Sequence, residues 1–171
     1  AKPPFLLWCH LTGLGGPWDA PLELREAFVE EGDPPPYAGH EPPSRRLAKD
    51  FDPDEALAYS FAYAGQVAVL DACVGALAEF VREGPLGSET LLVLAGARGF
   101  PLAEHGRVGP CDEPFYAELV QVPWMMRFPD GQGAAARSQA LVEPSDLWAT
   151  LLAWWQVPSR PETPTACDLL P

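Results

Sequence analysis

The clearest hydrophobic pattern is a stripe of apolar residues that recurs every three or four positions in the middle of the chain. Its members are Leu57, Phe61, Ala64, Val67, Leu70, Val74, Leu77 and Val81. This spacing predicts a long amphipathic helix that ends near Glu83-Gly84-Pro85. The segment Asp52-Pro53-Asp54-Glu55 supplies a cap, a first-turn proline and two first-turn acids, so we expect the helix to begin there.

Continuous apolar runs lie on either side of this helix. Residues 4–11, PFLLWCHL, and residues 90–95, TLLVLA, are typical of strands buried on both faces of a parallel sheet. Together with the helix they predict a right-handed strand, helix, strand crossover. Weaker patterns predict a helix at 22–31, a strand at 119–128 interrupted at Pro123, and a strand at 140–142. A final helix is predicted to be capped by Ser145 and Asp146 and to run to Trp155. Residues 158–171 are predicted to form an extended proline-rich tail.

Alternating strands and helices predict an α/β fold, which we expect to be a three-layer sandwich around a mainly parallel sheet. The chain has 171 residues, of which 47% are hydrophobic and 20% charged, enough to bury one core, so residues 1–171 are predicted to form a single domain. Residues 12–52, with seven prolines, form a long connection of the kind that is usually functional or family-specific.

Charge and hydropathy restrict the partners of the chain. Twenty-four acidic residues against eleven basic ones give a net charge of −13, which argues against nucleic acid and anionic membranes. We find no uninterrupted apolar run of the roughly 18 residues that a membrane span needs. The N-terminal AKPPFLLWCHL carries neither a basic leader region nor a cleavage site, so the compartment stays open.

The four cysteines, Cys9, Cys73, Cys111 and Cys167, contain no CxxC pair and predict neither a zinc site nor a redox site. Cys9 and Cys73 fall on apolar stretches and are expected in the core, whereas Cys111 is the thiol expected at the surface. Among the six tryptophans, Trp18 lies in the long connection and is the one expected to be an exposed contact.

One loop after a predicted strand brings arginine, glycine and histidine close together. This segment, LLVLAGARGFPLAEHGRVG at residues 91–109, resembles the sulfatase family of the alkaline-phosphatase superfamily. In that family the strand runs into Thr-Ser-Asp-His-Gly or Thr-Ala-Asp-Asn-Gly and then into Gly-Glu-His-Gly. Here Ala103-Glu104-His105-Gly106 keeps the second part.

The likeness continues along the chain in family order. The further matching pieces are residues 4–21, the Val-x-x-Leu-Asp-x-x-Val-Gly pattern at 67–75, FYAELVQVPWMMRFPDG at 115–131, LVEPSDLWATLLAWWQV at 141–157, and the closing Asp168-Leu169-Leu170-Pro171. The resemblance implies an alkaline-phosphatase-like fold. It also implies a partial domain, because the family's nucleophile segment, Cys/Ser-x-Pro-x-Arg, precedes the part that this chain matches. The similar EPPSR at residues 41–45 has glutamate in place of the nucleophile and follows the wrong strand, so we interpret it as coincidence.

The resemblance further implies a calcium ion held by hard oxygen ligands, together with groups that stabilise the sulfate oxygens. The family's strand-end metal ligands align with Ala97 and Arg98, its loop histidine with Gly15, and its sulfate-binding lysine with Pro110. All four positions are changed. The chain is therefore expected to be a catalytically inactive sulfatase-like protein that needs no cofactor, with calcium expected only if the site is functional.

Some polar residues in these segments keep candidate roles. His10, Arg98 and His105 are candidate contacts for an anion in the old pocket, although Arg98 can equally replace the absent metal electrostatically and pair with remaining carboxylates. Glu104 and His105, with Asp112 and Glu113, form the fallback set for a metal ion.

Three alternatives to an inactive protein stay open. In the first, the chain is a hydrolase of sulfate or phosphate esters whose site is completed by an N-terminal segment or a partner. It can also be a module that binds an anionic ligand or a protein. Finally, an uncovered sheet edge can lead the chain to associate with itself or with another chain that completes the sheet.

Overall fold

The computed structural model of the chain describes residues 4–110, 116–158 and 166–170. These residues form the helices and strands α1 (Leu22–Glu26), β1 (Arg45–Arg46), α2 (Pro53–Glu83), β2 (Leu92–Ala95), β3 (Arg107–Val108), α3 (Ala117–Val120), β4 (Trp124–Arg127) and α4 (Pro144–Trp154). The chain divides into two compact units. The first contains Ala1–Phe80 and Arg98–Val122, and the second contains Val81–Ala97 and Pro123–Pro171. Two compact units can belong to one domain, so the single domain expected over residues 1–171 stays a prediction.

The long helix α2 confirms the strongest sequence pattern. It begins at Pro53, and the Asp52 side chain accepts a hydrogen bond from the Asp54 N–H at 3.0 Å, as a capping residue does. By length and composition alone, α2 would also suit a membrane span, although a core helix of a globular protein meets the same criterion. The expected absence of a membrane partner therefore stays a prediction.

The core of the first unit is built around Trp18, which is fully buried. Its ring contacts the rings of Tyr37, Tyr63 and Phe100 at centroid distances of 6.2, 6.0 and 5.5 Å. Its indole N–H donates to the Leu14 carbonyl at 3.1 Å. Aromatic rings in such edge-on and tilted arrangements stabilise a core beyond the area that they bury. The prediction that Trp18 is an exposed contact is wrong.

The cysteine predictions also fail where they can be examined. Cys9 and Cys73, expected in the core, are exposed, and so is Cys167. Cys9 is exposed because the segment around it is not part of a sheet, and Cys73 because it lies on the part of α2 that is little buried. Cys111 lies outside the described residues.

A buried arginine ties the long connection together. Arg25 on α1 is 3% exposed, and its guanidinium donates to the carbonyls of Ala20, Trp18 and Tyr37 at 3.0, 2.6 and 2.6 Å. Gly65 of α2 makes room for it, because a Cβ at Gly65 would lie 2.8 Å from Arg25 Cγ. The connection is thus ordered by long-range hydrogen bonds and not by regular secondary structure.

Gln66, one helix position further on, fixes the start of the same connection. Its side-chain oxygen accepts the Ala20 N–H at 3.0 Å, and its amide nitrogen donates to Asp19 Oδ1 at 3.1 Å. Gln66 is itself buried, so both of its polar atoms need partners, and the connection supplies them. Helix α2 and the connection therefore satisfy each other's backbone and side-chain groups.

The sheets differ from the predicted parallel arrangement. Strand β2 pairs antiparallel with β4 over Leu92–Ala95, and β1 pairs antiparallel with β3. The described residues contain no parallel ladder, so the α/β class is confirmed only at the level of helices with small sheets. Residues 4–11, predicted as the first strand, form no ladder and are exposed. A strand that is apolar on both faces needs neighbours on its edges and layers on its faces, and the described residues give this segment no strand neighbour.

In the second unit, hydrogen bonds join α4 to Cys167 and Leu169. Asp146 is buried, and its carboxylate accepts the N–H of Glu143 at 2.8 Å and the N–H of Cys167 at 2.7 Å. These two hydrogen bonds lower the pKa of Asp146. Thr150, one turn later, accepts the Leu169 N–H at 3.1 Å. Helix α4 confirms the predicted final helix, but its N-cap is Glu143 and not Ser145.

Two weaker patterns in the second half of the chain do not form the strands that we predicted. The strand expected at 119–128 is split at Pro123 into α3 and β4, as the interruption by proline suggested. The strand expected at 140–142 does not form, and Leu141 there is 98% exposed. Residues 166–170 of the tail form no helix or strand, and residues 159–165 lie outside the described residues.

We predict that Arg25→Met destabilises the protein by about 3 kcal/mol or more, because the buried carbonyls of the connection would lose their donors. The measurement is urea unfolding followed by tryptophan fluorescence. Arg137→Met, at an exposed position with no hydrogen bond to another described residue, is the matched control and is expected to change stability by about 0.5 kcal/mol or less. Equal effects of the two substitutions would contradict the role of Arg25.

Candidate functional site

The candidate site begins where β2 ends. The Gly96 N–H donates to the Pro123 carbonyl at 2.8 Å, which extends the pairing of β2 with β4 by one residue. Ala97 and Arg98 follow, and both are exposed. At these two positions the chain offers a methyl group and a guanidinium group. Neither can donate an electron pair to a metal ion.

The loop beyond Arg98 is held close to α3 by a glycine. The Gly99 N–H donates to the Leu119 carbonyl at 3.1 Å, and a Cβ at Gly99 would lie 1.7 Å from the Glu118 carbonyl oxygen. Only glycine allows this approach of two backbones. Phe100 then stacks on Tyr63 of α2 at 5.3 Å, which attaches the loop to the core of the first unit.

A turn with left-handed backbone presents His105. The φ angles of Ala103, His105 and Gly106 are 89°, 53° and 67°, a conformation that side-chain-bearing residues seldom adopt. Around this turn, the Glu104 carboxylate accepts the Leu102 N–H at 2.5 Å, and the Gly106 N–H donates to the Ala103 carbonyl. The Glu104 carboxylate is therefore engaged in holding the turn.

The His105 ring lies between an aromatic ring and a carboxylate. It stacks on Tyr116 with a centroid distance of 3.7 Å and an interplanar angle of 1°. Its Nδ1 lies 2.7 Å from Glu118 Oε1. The imidazole thus already faces a carboxylate at one nitrogen. This arrangement favours a role in holding the turn against the segment that leads into α3.

The hydrogen-bond partners of Glu118 change its acidity. Burial alone would raise its pKa, but its own backbone N–H and the His105 imidazole outweigh that effect and lower the pKa of the carboxyl group below its usual value. Neither Tyr116 nor Glu118 was singled out in the sequence. The signal that existed was the family match at residues 115–131, which shows where the segment belongs but not which side chains it brings to His105.

Arg107, two positions after His105, also makes structural contacts. Arg107 lies on β3, where it pairs with Arg46 of β1, and its Nη2 donates to the Pro110 carbonyl at 2.8 Å. Gly109 follows with φ of 96°, and a Cβ there would lie 1.9 Å from the Pro43 carbonyl oxygen. Pro110 is exposed and contributes only its carbonyl oxygen to this arrangement.

The remaining predicted site residues lie apart from this turn or outside the described residues. Gly15 is exposed in a turn in which its N–H donates to the Thr12 carbonyl at 2.9 Å. His10 is exposed within residues 4–11. Asp112 and Glu113 lie outside the described residues, so the fallback metal set with Glu104 and His105 stays a prediction. Among the residues that the structure describes, no three His, Cys, Asp or Glu side chains converge in a way that could hold a metal ion.

An open groove of about 360 Å³ lies in the second unit, along β4 and residues 131–136. Two polar atoms on β4, Trp124 Nε1 and Arg127 Nη1, are buried without a hydrogen-bond partner among the described residues. The two side chains point to opposite faces of the strand, because side chains alternate along it. These two side chains therefore do not converge on one ligand position.

The comparison with protein families agrees with the order of motifs along the chain. The family model described as Sulfatase matches residues 2–157. The chain belongs to the sulfatase family. No match was found among curated proteins or among solved structures. The family implies an alkaline-phosphatase-like α/β fold, of which the described helices and small antiparallel sheets are a part.

The sulfatase family implies a calcium ion at the end of this strand. The side chains of Ala97 and Arg98 do not fit that ion. Calcium takes six to eight oxygen ligands, chiefly carboxylates and carbonyls. Ala97 offers no side-chain oxygen, and Arg98 brings a positive charge to the position of a ligand. We therefore derive no catalytic step through a metal ion in this sulfatase-family chain.

We predict that Glu118→Gln destabilises the protein near neutral pH and that the difference from the unchanged protein disappears in acid. A carboxyl group with a lowered pKa stabilises the fold above its unfolded pKa, and this contribution is lost as the pH falls through the folded pKa. The measurement is thermal unfolding from about pH 7 down to about pH 3. Glu89→Gln, at an exposed residue of the second unit, is the control. A difference that stays constant over this range would contradict the stabilising role of the ionised Glu118 carboxylate.

Proposed function

We propose that this sulfatase-family chain is a non-catalytic member of its family that does not hydrolyse sulfate esters. The observation that carries the proposal is the pair Ala97 and Arg98 at the exposed end of β2, the two positions at which the resemblance to the family leads us to expect metal ligands. Two further family positions, the loop histidine and the sulfate-binding lysine, are occupied by Gly15 and Pro110, whose side chains cannot donate a hydrogen bond.

The magnitudes favour inactivity over a weakened enzyme. Arg98 supplies no ligand for a metal ion, since a guanidinium group has no electron pair to donate. Removing a single electrostatic stabiliser of a transition state costs about 10²- to 10³-fold in rate. Losing several together leaves no source for the rate enhancement that sulfate-ester hydrolysis requires.

His105 and Glu104 support the same proposal because they already have structural roles. The His105 ring is occupied by Tyr116 and Glu118, and the Glu104 carboxylate holds the backbone of its own turn. A histidine that serves as a general base needs a nucleophile within hydrogen-bond reach, and the hydrogen-bond partner of His105 among the described residues is the Glu118 carboxylate. We therefore assign the Glu-His-Gly segment to the architecture of the loop.

Two alternatives make different predictions. In the first, the chain is a hydrolase of sulfate or phosphate esters whose site is completed by residues from another segment or partner, and turnover would then depend on a metal ion. In the second, the exposed guanidinium of Arg98 takes part in binding an anion without turnover, since arginine binds sulfate and phosphate bidentately. In this second case sulfate would raise the thermal stability of the protein, and no ester would be cleaved.

The test is hydrolysis of 4-nitrophenyl sulfate and 4-nitrophenyl phosphate, with calcium or magnesium present, by the purified protein and by its Arg98→Ala and Leu141→Ala variants. We expect no release of nitrophenol above the buffer rate. Activity that Arg98→Ala changes at least about tenfold, and Leu141→Ala leaves unchanged, would contradict the proposal. Activity that co-purifies with the chain would contradict the proposal as well, whereas activity that a further chromatographic step separates from the chain comes from a contaminant.

A further inference from the structure

Arg127 of β4 carries a positive charge that the described part of the chain does not compensate. Its Nη1 atom is buried, and no hydrogen bond or ion pair joins its guanidinium group to another described residue. A cation that loses part of its hydration without gaining a counter-charge costs free energy. Buried polar groups in native proteins normally have a partner, so this guanidinium group calls for a bound one.

The groove along β4 places this cation beside a space of suitable charge. Arg127 is the one charged residue among the described residues that line the groove, and none of them is Asp or Glu. The nearby Asp130 is not part of the lining, and its carboxylate accepts the Gln132 N–H at 3.0 Å. The groove therefore attracts one anionic group. The net charge of −13 repels ligands that carry several negative charges.

The groove also offers apolar contacts next to the cation. Met125 lies on the same face of β4 as Arg127, because side chains two positions apart on a strand point the same way. Met125 is 55% exposed, so this face is open to a ligand. Methionine adapts its side chain to irregular apolar shapes. The groove volume of about 360 Å³ suits a small organic molecule.

We propose that this groove binds a small organic anion, whose single oxyanion group accepts hydrogen bonds from Arg127 and whose apolar body contacts Met125. The planar guanidinium group matches the oxygens of a carboxylate or of a sulfate-like group. Because Nη1 is buried, Nε and Nη2 are the nitrogen atoms that the ligand contacts. The proposal is independent of sulfate-ester hydrolysis, since the lining contains none of the candidate positions at the end of β2.

The first test uses the methyl groups of the chain's two methionines, Met125 and Met126, which both line the groove. Carbon-13 methyl labelling gives one NMR signal for each, and Met125→Leu assigns them. We expect naphthalene-2-sulfonate or naphthalene-2-carboxylate to shift the Met125 signal with a dissociation constant of about 1 mM or below. The Met126 signal is expected to move less, because its side chain points to the opposite face. The uncharged naphthalene-2-sulfonamide is expected to bind at least about tenfold more weakly than the tighter anion.

The second test changes the cation. Arg127→Gln is expected to weaken binding of the tighter anion at least about tenfold, whereas Arg137→Gln, at an exposed arginine outside the lining, leaves it unchanged. Arg127→Met removes a charge that has no partner in the fold, so its midpoint of thermal unfolding is expected to equal or exceed that of the unchanged protein.

Four results would each overturn the proposal. They are no binding of either anion, equal binding of the sulfonamide, an unchanged affinity of Arg127→Gln, and a lowered unfolding midpoint of Arg127→Met, which would assign Arg127 a structural role. Circular dichroism shows whether each variant is folded. The comparison of the anions with the sulfonamide uses the unchanged protein, so it decides the matter even if Arg127→Gln does not fold.

Discussion

The guanidinium group of Arg25 donates to four backbone carbonyls inside the first unit, at Trp18, Ala20, Tyr37 and Gly39. The connection that holds these carbonyls is rich in proline, and only a short helix and a two-residue strand are regular within it, so many of its backbone groups need partners other than a helix or sheet ladder. An arginine suits this task because its N–H donors are fixed in one plane and fan out to several acceptors. With the connection fixed, Trp18 is held against Phe100, which follows Gly99 in the loop of the candidate site.

Local patterns predicted the elements whose determinants are local. Helix α2 was predicted from its periodicity and from the cap at Asp52, and both are properties of neighbouring residues. The apolar run at 90–95 became β2, whereas the similar run at 4–11 did not become a strand, because pairing depends on partners that a local pattern does not contain. Trp18 shows the same limit. Its burial depends on Arg25 and on rings from distant parts of the chain.

The candidate site likewise has one part that the sequence could predict and one part that it could not. That Ala97 and Arg98 stand where we expect metal ligands is a prediction from the sequence alone, since it concerns the identity of residues within a motif. The position of His105 is not, because it depends on a left-handed turn and on the close approach of Gly99 to the backbone of Glu118. Stacking on Tyr116 then holds the histidine ring in this loop.

The central claim is that the residues at the end of β2 no longer hold a metal ion. Elemental mass spectrometry of the purified protein, after dialysis against buffer containing calcium and magnesium, tests it most directly. The account predicts less than about a tenth of an equivalent of any divalent ion. About one equivalent would contradict the account.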